Sequence, residues 1–480
     1  MIKNIKWLLM ASLVLVSCNS DDEKFVDPNS TDGTPLTAGT ADFSKYVALG
    51  DSYAAGFSDN ALFAGGQKNA YPNIIASQFA LVGGGEFNTP FMADNIGGFS
   101  LGGVQSPSYG VRMYLGDGNV PMPVEGVSGT DISTHLSGPF NNFGIPGAKS
   151  THLDFAGYGT AAGNPYFARM ASTPMATVVD DALATNPTFF SLWIGGNDVL
   201  GYATSGGDSS NPITAPAVFN AVYNGLIAKL TAGGKKGVVA NLPYVNTLPY
   251  FTTVPHNPVP LDAPTATLLN SNFATYNNGL LFAQSNGLIT AEEVAKRTIS
   301  FSASATNSVV IVDEYLTDLS AYSIPSYRQA TSEDLIVLTA RNFIGTSVGG
   351  NPLLINGVSV PLADNWVLSK NEIAEIKVAT DAYNETIKAA AEAHDLAFVD
   401  TKAIMDVLNT TGLVVNNYTI TTDYVTGGMF SLDGVHPSPR GYALIANEFL
   451  KAINVAYGSN FNGVNVGSYR ILYPKNSGAF

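Results

Sequence analysis

A three-layer α/β/α sandwich around a central parallel sheet is the fold this sequence predicts, and three observations predict it. Five short apolar runs are spread along the 480 residues, each of a length that suits a strand buried on both faces. Between them lie stretches whose apolar residues recur at helical spacing. Several runs stop abruptly at Gly, Pro, Asn or Asp, which turn a strand end into a loop. Strand and helix alternating over such a length points to an α/β domain.

The elements follow in order. Tyr46-Val47-Ala48-Leu49 reads as a first buried strand and runs straight into Gly50-Asp51-Ser52-Tyr53. Pro72 suits the first turn of a helix carrying Ile74, Ile75 and Phe79. Phe140 to Ile145 is a second strand, leading into Pro146-Gly147-Ala148. Thr188 to Ile194 is a third, and it ends in Gly195-Gly196-Asn197-Asp198. Phe219, Val222, Leu226 and Leu230 share a helical face before a fourth strand, Gly237 to Leu242, which stops at Pro243.

The clearest helix is expected over 370–394. Ser369 and Glu372 form a capping box, and Ile373, Ile376, Thr380, Tyr383 and Ile387 make one stripe. Leu396 to Asp400 is the last strand. A final helix starts near Ser438-Pro439 and carries Tyr442, Leu444, Ile445, Phe449 and Ile453. Residues 201–216 read as a short polar loop. Two longer stretches, 81–138 and 245–368, exceed what loops of a compact domain require, so structured insertions are expected there. Lying beside the strand ends, they are placed to build a substrate pocket. Within the second, Glu292–Arg297 and Ser308–Val312 are candidate short elements. The sequence contains no internal repeat.

The N-terminus reads as a processing signal. Lys3 and Lys6 precede an apolar run from Trp7 to Val16, too short for a comfortable membrane span. Leu15-Val16-Ser17-Cys18 is similar to the lipobox of bacterial lipoproteins. In that reading residues 1–17 are removed and Cys18 carries the lipid anchor. Residues 19–42 are rich in Asp, Ser, Thr, Gly and Pro and offer little to bury, which predicts a tether. Asp21-Asp22-Glu23 resembles the surface-export signal of Bacteroidetes lipoproteins. The expected location is the outer membrane of a bacterial envelope, with surface exposure as an option.

A net charge of −15 and a pI near 4.6 weigh against nucleic acid, for no basic stripe is present. The single cysteine excludes an internal disulfide and a cysteine-rich metal centre. No residues are spaced for a metal site, and no cofactor is expected.

Four short blocks carry the chemistry: Gly50-Asp51-Ser52-Tyr53, Gly147, Gly195-Gly196-Asn197-Asp198 and Asp433-Gly434-Val435-His436-Pro437. Together, in this order, they resemble the SGNH (GDSL-type) hydrolases, whose marker residues are Ser, Gly, Asn and His in separate blocks. Ser52, Gly147, Asn197 and His436 match those markers. Tyr53 departs from the Leu of the family name, and Gly144 competes with Gly147 for the second block. The resemblance spans roughly 43–245 and 370–455. It implies a flavodoxin-like sheet of order 2-1-3-4-5, with a crevice at the point where strand order reverses. The implied organisation is a signal peptide over 1–17, a tether over 18–42, a hydrolase domain over 43–460 with insertions at about 81–138 and 245–368, and a C-terminal tail over 461–480.

The residue types suit acyl transfer on their own terms. Ser52 is the candidate nucleophile and His436 the base that takes its proton. Asp433, three residues before His436, is placed to orient the imidazole. The N–H groups of Ser52 and Gly147 and the amide of Asn197 are candidate oxyanion donors. Asp198 is expected to be structural, and His394 to sit solvated at a helix end. The predicted activity is cleavage of carboxylic esters through an acyl-serine, on small-molecule, lipid or glycan esters. Alternatives are a carbohydrate O-acetylesterase or acyltransferase using the same site, or a surface glycan-binding protein without catalysis.

Overall fold

The structure, a computed structural model, describes residues 26–160, 162–208 and 210–476. The expected signal peptide and Cys18 lie outside the described residues. Among those described, no helix is long and apolar enough to cross a membrane.

Five strands form the central sheet: β1 (Tyr46–Gly50), β2 (Asn142–Gly144), β3 (Phe189–Trp193), β4 (Lys236–Ala240) and β5 (Ala397–Val399). All pair in parallel, in the order β2-β1-β3-β4-β5. This is the order that the resemblance implied. Gly50 at the end of β1 lies level with Gly144 of β2 and Trp193 of β3. Three strand ends therefore finish side by side. Val47, Ala48, Leu49, Phe190 and Leu192 are fully buried, as a sheet covered on both faces requires.

The helices that frame it are α1 (Ser52–Ala55), α2 (Tyr71–Phe79), α3 (Asn197–Thr204), α4 (Pro216–Thr231), α5 (Ala263–Ser285), α6 (Lys370–Ala393), α7 (Thr401–Thr410) and α8 (Pro439–Tyr457). Helix α2 packs on α8, with the rings of Tyr71 and Phe449 4.8 Å apart. Helix α4 packs on α6, where Phe219 and Tyr383 stack at 4.1 Å. These two groups flank the sheet in an α/β sandwich. The capping box of α6 forms as expected: Ser369 N–H donates to Glu372 Oε2 at 2.6 Å, and Glu372 N–H to Ser369 Oγ at 3.5 Å. Helix α8 is capped by Ser438, whose Oγ accepts from Gly441 N–H at 3.0 Å.

Several expectations need correction. Helix α3 runs to Thr204, so the polar loop expected over 201–216 starts later. Helix α5, 23 residues long, is a regular element that the proline content of 245–368 concealed. Its Leu268, Leu281 and Phe282 are exposed while Leu269, Phe273 and Leu280 are buried, so no clean stripe marks it. Its C-terminal end packs into a satellite core with Ile289, Val294, Leu319 and Ile324. The short elements expected nearby do form, as a helix over Ala291–Arg297 and a strand over Val310–Val312.

The tether expected over 18–42 is fixed to the body where it is described. Thr31 N–H donates to Asn460 O at 2.9 Å, Asn462 N–H to Asn29 O at 2.7 Å, and Thr40 N–H to Tyr457 O at 2.8 Å. A segment with little to bury is here held by backbone hydrogen bonds. The stretch expected as a tail over 461–480 is also built in as far as residue 476. Tyr473 is buried against Phe63, and the buried Arg112 guanidinium donates to Pro474 O at 2.8 Å.

Candidate active site

The site is assembled where β1, β2 and β3 end. Gly50 matters by proximity rather than by turn freedom. A Cβ there would lie 2.5 Å from Trp193 O and 2.9 Å from Ala54 Cβ, so any side chain would push β1 away from β3 and α1. Asp51 caps α1 by accepting Tyr53 N–H at 3.0 Å. Burial pushes its carboxyl up to about 6, against the pull of that hydrogen bond and of His436. Ser52 is the first residue of α1 and is 6% exposed.

His436 arrives from the far end of the chain, on the loop before α8. Its Nε2 lies 2.8 Å from Ser52 Oγ and its Nδ1 3.0 Å from Asp433 Oδ2. An ionised carboxylate only accepts, so Nδ1 carries the proton and Nε2 is left to accept from the Ser52 hydroxyl. Asp433 is held from both oxygens. Oδ1 accepts the N–H groups of Val435 at 2.9 Å and His436 at 2.8 Å, and Oδ2 accepts Asn60 N–H at 2.9 Å. Burial alone would raise this carboxyl. The adjacent imidazole and these donors outweigh it and hold the carboxyl below its usual range.

What fixes the His436 loop is a clamp at residues 57–60, which sequence reasoning missed. Ser58 Oγ donates to Pro437 O at 3.0 Å, Asp59 N–H to Ser431 Oγ at 2.9 Å, and Leu432 N–H to Asp59 Oδ1 at 3.0 Å. Tyr53, at the position where the resemblance departs from Leu, donates its hydroxyl to Val435 O at 2.6 Å. The Phe57 ring lies 4.5 Å from the imidazole. The one available cue was Asp59-Asn60 after Gly56, a pair of turn residues that adopt positive φ of 50° and 68° here. Asp59 is buried, and that burial pushes its carboxyl up to about 7.

Of the predicted oxyanion donors, Ser52 and Asn197 line one cavity, and Gly147 is not among its lining residues. Gly147 has a φ of +79°, which disfavours a side chain, and its surface is open. Gly144 sits inside β2, where a Cβ would come 2.2 Å from Ala55 N, so it is a packing glycine and Gly147 is the exposed one. Among the described residues, no protein acceptor takes the N–H of Ser52 or of Gly147. Asn197, first residue of α3, donates an amide hydrogen to Ala148 O at 3.0 Å. Asp198 is structural, as expected: it accepts Ser150 N–H at 2.8 Å and Ser150 Oγ–H at 2.7 Å, tying the Gly147 loop to α3. His394 caps the end of α6, exposed and beside Thr231 Oγ1.

Ser52 and Asn197 line a cavity of about 40 Å³. The long insertions were expected to build such a pocket. They supply only Val245 and Leu248, and the rest of the wall comes from the core and the strand-end loops.

The sequence matches no family model and no curated protein. Similar folds occur among solved structures. The acetylxylan esterase Axe2 of Geobacillus stearothermophilus is 13% identical, with 86% of this chain and 96% of that one covered at a TM-score of 0.35. The lipase/acylhydrolase of Enterococcus faecalis is 11% identical, with 88% and 99% covered and a TM-score of 0.31. LAE5, an alpha/beta hydrolase enzyme from the metagenome of Lake Arreo, is 11% identical, with 87% and 97% covered and a TM-score of 0.35.

Proposed function

We propose that this chain is a serine ester hydrolase of the SGNH (GDSL) type. The observation that carries the reading is the continuous relay Ser52 Oγ, His436 Nε2, His436 Nδ1, Asp433 Oδ2, with links of 2.8 and 3.0 Å. Ser52 Oγ attacks the ester carbonyl carbon while its proton passes to His436 Nε2. The carbonyl oxygen becomes an oxyanion facing the N–H groups of Ser52 and Gly147 and the side-chain amide of Asn197. Collapse breaks the bond to the alcohol oxygen, which takes the proton from Nε2 and leaves. Water then repeats the attack on the acyl-serine. His436 accepts its proton and returns one to Ser52 Oγ as the acid departs. Throughout, Asp433 holds the tautomer and stabilises the transient imidazolium.

Hydrolysis of p-nitrophenyl butyrate tests this. Wild type should turn it over, and Ser52→Ala should lose on the order of 10⁴-fold or more in kcat with an unchanged circular dichroism spectrum. Equal rates for the two proteins would rule out the hydrolase reading.

A further inference from the structure

The 245–368 insertion contributes little to the cavity at Ser52, yet it helps to build a much larger space. A groove of about 940 Å³ lies where the insertion meets the first turns of α6 and the last turn of α7. The short turn Val245–Thr247 borders both spaces. Val245 and the following Leu248 line the cavity at Ser52, whereas Asn246 and Thr247 line the groove.

Asn246 is the residue that calls for a ligand. It is only 8% exposed, and its Oδ1 has no hydrogen-bond partner among the described residues. A buried amide oxygen left without a donor costs about 1–3 kcal/mol, and the groove is the side from which a donor can arrive.

The rest of the lining asks for the same chemistry. The Thr247 hydroxyl gives its hydrogen to Tyr244 O at 2.7 Å, Thr410 to Asp406 O at 2.8 Å, and Thr422 to Asn409 Oδ1 at 2.6 Å. Each of these oxygens is left as an acceptor, and the carboxylates of Asp406 and Asp423 are acceptors as well. Charge does not select an ion. Glu333, Asp406 and Asp423 stand against Lys370 and Lys377, and Lys370 is already paired with Glu333 at 2.6 Å. Among the described residues, no set of carboxylates is arranged to hold a metal. Leu335 and Ile373, both half-buried, add hydrocarbon surface. Many acceptors, balanced charge and a little hydrocarbon suit an uncharged ligand rich in hydroxyl donors, in a space at the upper end of the roughly 300–1,000 Å³ of small-molecule sites.

We propose that this groove is a saccharide-binding site separate from the catalytic cavity, with Asn246 Oδ1 accepting a sugar hydroxyl. It takes the glycan itself, whether or not an ester is attached. Such binding stands apart from the hydrolase reading above, since neither Ser52 nor His436 lines the groove.

The test is calorimetric titration of the full-length Ser52→Ala chain, which keeps an esterified ligand intact, with cellohexaose, xylohexaose, maltohexaose, chitohexaose and spermidine. At least one hexasaccharide should bind saturably at one site per chain, and its O-acetylated form should bind within about threefold of it. Adding Asn246→Leu should weaken that binding by about tenfold or more without lowering the urea midpoint, because the fold does not pair the acceptor it removes. Should Asn246→Leu lose stability or fail to fold, Asp406→Ala combined with Asn409→Ala, both exposed positions, should bring the same loss. No binding of any hexasaccharide, binding of the acetylated form alone, spermidine binding in their place, or undiminished affinity in the folded variants would overturn the site. Hydrolysis of p-nitrophenyl butyrate by wild type is read separately. A chain that cleaves it but binds no hexasaccharide loses only the groove, and one that binds a hexasaccharide but cleaves no ester loses only the hydrolase.

Discussion

Two regions of this molecule bury carboxylates, and they differ in the partner each one meets. In the 245–368 insertion, Asp313 and Asp334 close on Arg328, with Nε 2.5 Å from Asp313 Oδ2 and Nη1 2.6 Å from Asp334 Oδ2. At the sheet edge, Asp433 closes on His436 at 3.0 Å. All three carboxyls stay below their usual range although burial pushes each of them up. Arginine keeps its charge at any accessible pH, so the first arrangement can only hold structure. An imidazole can donate from one ring nitrogen and accept at the other, so in the proposed mechanism the second passes a proton to and from Ser52. On the proposed function, the same burial of acid thus serves as a strut in one place and as proton machinery in the other.

Exchanging each partner should separate the two. The largest effect is expected for Asp433→Asn, which keeps the shape but loses the anion that orients His436. Its kcat should fall by roughly 10³–10⁴-fold, with a smaller change in melting temperature than any change at Arg328. Arg328→Met should do the opposite. It strands two buried carboxylates and should cost about 3–5 kcal/mol in urea unfolding, while molecules that remain folded keep their kcat. Loss of kcat by Arg328→Met in the folded fraction would break the comparison.

A smaller effect is expected at Asp59, the clamp carboxylate beside Asp433. Its folded value is raised to about 7 from 3.8, so the folded state holds a proton that the unfolded chain has already released. Stability from this group is fully present below pH 3.8 and is lost as pH rises through about 7. Asp59→Asn should flatten that decline, by on the order of 3 kcal/mol between pH 4 and 8 in denaturant titrations. An identical pH profile in the variant would show that Asp59 titrates normally.

Much of this was legible in the sequence because buried parallel strands and capped helices carry local signals. The Leu49-to-Tyr53 junction, the capping box at Ser369 and Glu372, and Ser438-Pro439 each announce an element within a few residues. Ser52, Asn197 and His436 could be read because strand ends and short blocks mark them. The clamp could not. Ser58, Asp59 and Asn60 act through Pro437 O, Ser431 Oγ and Asp433 Oδ2, more than 370 residues away, and no local pattern encodes such a pairing. Helix α5 was hidden because only part of one face is buried. The cavity wall was misplaced because much of its lining comes from Trp193, Val199, Leu200 and Leu242, which read simply as core.

The relay from Asp433 to Ser52 is the central claim, and covalent labelling tests it most directly. The protein is treated with a fluorophosphonate, digested, and mapped by mass spectrometry. The account predicts one phosphonyl adduct per chain on Ser52, formed at a rate that falls at least a hundredfold in His436→Ala. No adduct, an adduct on another serine, or an undiminished rate in His436→Ala would contradict it.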